Sequence, residues 1–416
     1  MFFRKIKPIY ERCQSDPNTR LRLRYAPFYR VVEAADGVNL TVDGRPMVMM
    51  SSNEYLGLSR HPRVVAAAQA ALDRWGSSAC GSRLANGSRA YHVELEAAFA
   101  EFLGKEACHV FASGYLACTA SLSSLVQRGD ALIVDPSIHS SLWDGALLSG
   151  AKIERFDHND MASLARVLEQ LEPRQAKVIV VDGVYSMEGH IAGLPRLVEL
   201  ADQHQAVVVV DDAHGFGVLG RDGRGVCDHH GVTDRVELIA GSFSKSLAST
   251  GGFVAGDRAL IEYFRTCSRQ IIFSAALSPA QTAAAHAALA VMQSEPEHRE
   301  RLWANTRHLR GLLDQLGVDC WDSPTPALPI VIGDMEKCYS IWQSLWNDGF
   351  FTVFSTAPGV PVGKDMIRCA VSASHTTEQL DRFSCALQVA LKKAGVQLKA
   401  PSRNPVVTPP VPGSPR

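Results

Sequence analysis

Four short stretches, Ala131–Val134, Val178–Val181, Val207–Val210 and Leu238–Ala240, are apolar at every position rather than at every second one. A strand with one face in water alternates apolar and polar residues, so unbroken runs of this length belong to strands covered on both faces. Two further β-rich runs, Cys108–Phe111 and Lys152–Phe156, join them, and helix-length stretches such as Met161–Leu171 and Leu194–His204 lie between. Strand and helix in alternation call for a mostly parallel sheet flanked by helices, because a parallel connection must cross over the sheet. The chain is therefore read as an α/β protein whose large domain spans residues 51–285.

Residues 1–50 stand apart as a basic segment. Arg4, Lys5, Lys7, Arg12, Arg20, Arg22, Arg24 and Arg30 crowd into it, as on the solvated face of an amphipathic helix. The same charge would suit an anionic substrate or a membrane surface, though nothing in the sequence demands either. Gly37 and the Asp43–Gly44 pair then bracket the apolar run Val38–Val42, which reads as a short two-stranded piece. Residues 286–398 are expected to form a smaller α+β domain. There Gln293–Leu316 reads as one long charged helix, with strands at Leu328–Ile332 and Met366–Val371 and helices at Met335–Asp348 and Thr377–Ala394. The repeated prolines of residues 399–416 leave too little apolar surface for a fold, so a disordered tail is expected.

Composition narrows the function. Lys plus Arg number 42 against 43 acidic residues, which leaves no excess to attract nucleic acid. The ten cysteines include no Cys-x-x-Cys pair, so neither a disulfide framework nor a structural zinc site is expected. No apolar run approaches the roughly 20 residues of a spanning helix. Charges also stand where a signal peptide would carry its apolar centre. A cytoplasmic enzyme with reduced thiols is the expectation.

In open α/β sheets ligands gather at the carboxyl ends of the strands, so the residues that follow each strand carry the functional signal. After Leu238–Ala240 come Gly241-Ser242-Phe243-Ser244-Lys245-Ser246 and then Gly251–Gly252. A lysine in such a turn, partly stripped of water, suits attack on an aldehyde, although similar strings are common in plain surface loops. Val207–Val210 runs into Asp211-Asp212-Ala213-His214. Carboxylates at the end of an all-valine strand need a cationic partner. A protonated pyridine nitrogen is one; a divalent ion is another, but no further ligands accompany the string, so no metal is expected. Ser113-Gly114-Tyr115 lies between strand Cys108–Phe111 and helix Leu116–Leu125, where free amides make a phosphate site. His139, after Ala131–Val134, could stack on an aromatic cofactor. Each string is weak alone. Together they supply the parts that one aromatic aldehyde phosphate needs.

These strings resemble the α-oxoamine synthase family. The resemblance is carried by Ser51-Ser-Asn53-Glu-Tyr55-Leu-Gly-Leu, Gly81-Ser-Arg-Leu-Ala-Asn-Gly-Ser, His92-Val-Glu-Leu-Glu, Asp211-Asp-Ala-His214-Gly-Phe-Gly, Ser242-Phe-Ser-Lys245 and Arg368-Cys-Ala-Val-Ser-Ala-Ser-His375. It implies the fold-type I pyridoxal-phosphate architecture of aspartate aminotransferase, a large mostly parallel sheet domain plus a smaller C-terminal one. It also implies a homodimer with a shared active site. The implied activity joins an amino acid to an acyl thioester, presented as acyl-CoA or on an acyl carrier protein, and releases the amino-acid carboxylate as carbon dioxide. In that reading Lys245 binds pyridoxal phosphate as an internal aldimine and then removes the α-proton. Asp211 pairs with the pyridine nitrogen and His214 with the ring hydroxyl, His214 also steadying the developing oxyanion. His139 stacks on the ring, and Ser186 lies beside ring and substrate. Ser113, Gly114, Tyr115 and Ser242 hold the phosphate, and Ser274 reaches it across the dimer interface. Asn53 and Arg368 receive the substrate carboxylate, for which a guanidinium is geometrically suited. Ala275 stands where many relatives carry a hydroxyl, so a contact from that position is missing.

Four branches share these residues: those making a biotin precursor from alanine, a sphingoid base from serine, and aminolevulinate or aminoketobutyrate from glycine. Gly81-Ser-Arg-Leu-Ala-Asn-Gly, Phe243-Ser-Lys245-Ser and Gly251-Gly-Phe-Val-Ala-Gly256 most resemble the serine-using branch. Ser82, where the aminolevulinate-forming branch has Thr, leaves more room at the α-carbon and disfavours a glycine-only pocket. Phe350–Pro361 is expected to be a mobile loop over the acyl site. A fold-type I aminotransferase, which uses the same lysine without an acyl donor, is the competing class.

Overall fold

The computed structural model describes residues 7–16, 24, 27–357 and 359–398; the expected tail at 399–416 lies outside them. The first helix, Pro8–Ser15, buries no side chain. Strands β1 (Ala34–Asp36), β2 (Asn39–Val42) and β3 (Arg45–Met49) follow as an antiparallel trio, where a two-stranded piece was expected.

The large domain is built on β4 (Ala107–Phe111), β5 (Ala131–Val134), β6 (Lys152–Arg155), β7 (Lys177–Asp182), β8 (Ala206–Asp211), β9 (Leu238–Ser242) and β10 (Gly252–Gly256). They lie side by side in the order β4-β10-β9-β8-β7-β5-β6. All pairings from β9 to β6 are parallel, and β10 alone runs against its neighbours. The unbroken apolar runs serve two cores at once. Ile179 and Val181 face one core while Val178 and Val180 face the other, and Val208 and Val210 are likewise opposed to Val209. That division is the pleat of a strand covered on both sides. The edge strand β6 is only half covered.

Two expectations of the sequence reading need correction. Gly251–Gly252 is not merely a turn signal, because Gly252 opens strand β10. Glycine weakens a strand and so hides it from pattern reading, yet here it is required: a Cβ on Gly252 would lie 2.5 Å from Gly114 Cα. The long helix expected over Gln293–Leu316 is present as Glu297–Leu316 with the same end, but its start lies later, because Gln293 and Ser294 close the preceding helix Pro279–Ser294. Pro296 separates them, since its ring cannot sit inside a helix and biases Glu295 away from helical geometry.

The C-terminal part is an antiparallel sheet of β11 (Ala327–Val331), β14 (Met366–Ala370) and β13 (Val353–Ser355), with β12 (Phe350–Phe351) reaching back to pair with β3. Much of the expected mobile loop at 350–361 is therefore paired strand, because Phe350 and Phe354 are buried anchors. The N-terminal and C-terminal pieces are stitched together at the site's edge. Ala370 N donates to Met50 O at 2.8 Å and Ser51 Oγ to Arg368 O at 2.7 Å. Among the described residues no helix is long and apolar enough to cross a membrane.

Candidate active site

Parallel strands deliver their carboxyl ends to one edge, and a cavity of about 280 Å³ opens there. Ser113, Gly114, Tyr115, His139, Asp211, His214, Ser242 and Lys245 all line it. Lys245 sits in the turn between β9 and β10, closed by bonds from Phe243 N to Gly251 O and from Ala248 N to Lys245 O. Loss of hydration holds its amine below the usual lysine range, against the pull of Asp211, Cys118 and Asp182. A larger neutral fraction is what attack on an aldehyde requires.

Asp211 ends β8 opposite Asp182, the last residue of β7. Its Oδ1 accepts from Ala213 N at 3.0 Å and its Oδ2 from the Cys118 thiol at 3.0 Å. Burial, and then the charge of Asp211, push the Asp182 carboxyl well above the carboxylate range. Burial thus disfavours the charged form of Asp182. Its Oδ1 accepts the His139 amide at 3.1 Å and so fixes the start of helix Ser140–Ser149. Asp212, by contrast, lies outside the cavity lining and accepts the Val226 amide at 2.8 Å.

His214 is buried, and its pKa is driven well below the ordinary value by desolvation and by Lys245 and Arg368. Tyr55 Oη lies 2.7 Å from its Nδ1. Burial raises the phenol's pKa while the cation of Arg368 beside it pulls the other way. With that cation on its other side, the Tyr55 hydroxyl is best placed to donate to Nδ1, an arrangement that assigns His214 the neutral tautomer with its hydrogen on Nε2. His139 has its own Nδ1 held by Ser141 Oγ at 2.7 Å.

At the other end of the cavity Ser113 caps helix Gly114–Ser123 by accepting from Leu116 N at 3.2 Å. The Gly114 and Tyr115 amides belong to the first turn, where no helical carbonyl is available to them. The Ser242 hydroxyl stands beside Gly114, so close that a Cβ there would lie 2.6 Å from Ser242 Oγ.

Asn53, Ser186 and Arg368 come together next to the cavity. Arg368 Nε donates to Ser186 O at 2.6 Å and Nη1 to Asn53 Oδ1 at 2.9 Å. Nη2 is buried and has no partner among the described residues. Ser82 and Ser274 lie elsewhere, outside the lining of the cavity. Ser82 bridges Ala275, and Ala276 N donates to Gly81 O at 2.9 Å, so these segments form one edge. Tyr55, Asp182 and Cys118 went unassigned in the sequence reading. Only the end of an apolar run at Asp182 could have signalled any of them.

An anion cradle at a helix start, a strand-end carboxylate and a desolvated lysine around one cavity fit pyridoxal phosphate end to end. The chain belongs to the aminotransferase class I and II family, whose model matches residues 45–387. It is 40% identical over 370 residues to the serine palmitoyltransferase of Sphingobacterium spiritivorum, covering 89% of this chain and 93% of that one. Against the 8-amino-7-oxononanoate synthase of Thermoanaerobacter pseudethanolicus it is 39% identical over 380 residues, covering 90% and 95%. The S. paucimobilis serine palmitoyltransferase with a bound PLP–myriocin aldimine superposes with a TM-score of 0.91 at 32% identity, over 94% of this chain and all of that one. Both relatives are α-oxoamine synthases, and within its family this chain is one of that branch, a pyridoxal-phosphate-dependent acyltransferase.

Gly114→Ala is expected to weaken pyridoxal phosphate binding by about 1–3 kcal/mol, the usual cost of overpacking. An absorbance titration of the apoenzyme measures it, and unchanged affinity would show that the cradle lies elsewhere.

Proposed function

We propose that the chain condenses a small amino acid, serine or alanine, with an acyl thioester to give an α-amino ketone, thiol and carbon dioxide, as its serine palmitoyltransferase relatives are named for doing. The observation that carries this is Arg368: a buried guanidinium whose Nη2 has no partner among the described residues, near enough to Lys245 and His214 of the cofactor cavity for its charge to act on both. A free donor of that kind suits one oxygen of an amino-acid carboxylate.

Bound pyridoxal phosphate supplies an aldehyde for the substrate amine and a ring that spreads carbanion charge once its nitrogen is protonated. Asp211 would accept the hydrogen bond of the protonated ring nitrogen, the Gly114 and Tyr115 amides with Ser242 would hold the phosphate, and His139 would cover the ring face. Arg368, kept in place by Asn53 and Ser186, orients the amino-acid carboxylate. Lys245 Nζ takes the α-proton, a role favoured by the burial that lowers its pKa. The α-carbon then bonds to the thioester carbonyl carbon and the thiolate leaves. His214, neutral with hydrogen on Nε2, donates to the oxygen that gains charge. The carboxylate departs as carbon dioxide and the α-carbon is reprotonated.

The family resemblance is the ground for reading the chain as a homodimer in which Ser274 completes the partner's phosphate site. The donor is acyl-CoA or acyl carrier protein. The alanine-using 8-amino-7-oxononanoate synthase branch is the nearer alternative, given comparable identity.

A spectral titration with serine, alanine and glycine, followed by thiol release across acyl-CoA chain lengths, tests the reading. The cofactor spectrum should change on amino-acid binding and thiol should appear only when both substrates are present. Conversion of the cofactor to its amine form by amino acid alone would instead mark an aminotransferase.

A further inference from the structure

Two histidines outside the cavity form a line between a carboxylate and a carbonyl. His158 Nδ1 is 3.0 Å from Asp135 Oδ1 and 3.1 Å from Oδ2. His158 Nε2 faces His190 Nδ1 at 3.0 Å, and His190 Nε2 lies 2.7 Å from the carbonyl oxygen of Trp321. Both ends of the line can only accept. The Asp135 oxygens already accept from Ser137 N, Asn159 N and Tyr185 Oη, each at 2.8 Å, which is the pattern of an ionised carboxylate. The two outer ring nitrogens must therefore both carry hydrogen. With both rings neutral, two bare lone pairs would face each other across the middle contact. A third hydrogen removes that repulsion and gives the pair one positive charge, which Asp135 balances.

The pair fastens a hairpin. Val184 bridges Ile191, Tyr185 N donates to His190 O at 3.0 Å, and Gly189 N to Tyr185 O at 2.8 Å. Its tip carries Ser186, whose carbonyl accepts Arg368 Nε. Ser323 and Thr325 hydroxyls hold the Gly189 carbonyl at 3.3 Å and 2.9 Å. Of these ties to the segment around Trp321, the one through His190 also runs to the His158 ring.

We propose that His158 and His190 share a single proton and act through it as positioning residues, holding the Ser186 hairpin against Arg368 and so setting the affinity for the amino acid. The inference rests on reading Arg368 as the receptor of the amino-acid carboxylate. Several charged or titratable groups face the pair: Asp135 from the loop after β5, Tyr185 with its ring 4.5 Å from that of His158, and Glu188 on the hairpin. From the small-domain side Asp319 accepts the Trp321 amide and Lys364 lies 5.8 Å over the Trp321 ring. Burial alone would depress the pKa of His158, but the hydrogen bond and charge of Asp135, then Glu188, outweigh it and raise the pKa above the ordinary value. The sign follows. The proton is held at low pH and lost as pH rises through the raised pKa, so the hairpin loosens on the alkaline side.

The test is the pH dependence of the amino-acid KM in the holoenzyme with L-serine, with kcat measured alongside. KM should rise by about five-fold toward alkaline pH, the factor one ordinary net hydrogen bond carries, while kcat at saturation stays nearly level. His190→Ala should show the raised KM already at low pH, with a flat profile. His190→Gln, whose side chain can accept from His158 and donate to Trp321, should restore the low KM, and it serves if the alanine variant folds poorly. Nitrogen-15 histidine NMR should show the two rings titrating as one shared proton. A His190 variant with the parent's KM profile, or two neutral rings at low pH, overturns the proposal. Arg368→Ala tests the carboxylate reading separately: an unchanged KM there sinks that reading, while the ring resonances still decide whether the proton is shared.

Discussion

Lys245→Ala is expected to abolish the covalent-cofactor absorbance band and to lower turnover by on the order of 10⁴-fold or more, since one side chain serves as both nucleophile and proton carrier. Among the described residues Lys245 is the one lysine lining the cavity, and its amine is held below its usual range there. A side chain ending at Cβ can neither bond to the aldehyde nor take the α-proton. Cofactor should still bind through the Gly114–Tyr115 amides and Asp211, so the protein should retain pyridoxal phosphate with a free-aldehyde spectrum. An unchanged band in this variant would overturn the assignment of the lysine.

Asp211→Asn should keep the fold and the cofactor yet cut kcat by on the order of 10²–10³-fold, the range for removing one electrostatic contributor in a desolvated site. The substitution is nearly isosteric, and the amide oxygen can still accept from Ala213 N. What it loses is the negative charge that keeps the ring nitrogen protonated. The neighbouring Asp182 is a poor substitute, because its burial, the larger cause of its raised pKa, persists in the variant and still disfavours its charged form. Single-turnover α-proton exchange from deuterated serine reads the step directly. Exchange within about three-fold of the parent rate, well short of one power of ten in free-energy terms, would mean that another group holds the ring proton.

Much of this was legible before the fold was known. Strand Ala131–Val134 and helix Leu194–His204 have the bounds read from the sequence. A doubly covered strand needs an unbroken apolar run, and Pro195 with the strongly amphipathic spacing marks the helix. Strand β10 was hidden because its glycines answer to neighbours far along the chain, with Gly252 against Gly114. The same holds for site partners. Tyr55 meets His214, and Cys118 meets Asp211, across gaps that no local pattern spans.

The sequence by itself determined which chemical groups arrive at the site. Direction and periodicity are local properties, and a parallel sheet carries the ends of its strands to one edge, so Lys245, Asp211, His214, His139 and Gly114 were bound to assemble. The tertiary structure alone decided their surroundings and pairing: that Asp182 is buried opposite Asp211 with its charged form disfavoured, that Asp212 lies outside the cavity lining, and that Arg368 Nη2 has no partner among the described residues. Those outcomes depend on desolvation and on contacts through space, and neither is written in the order of residues.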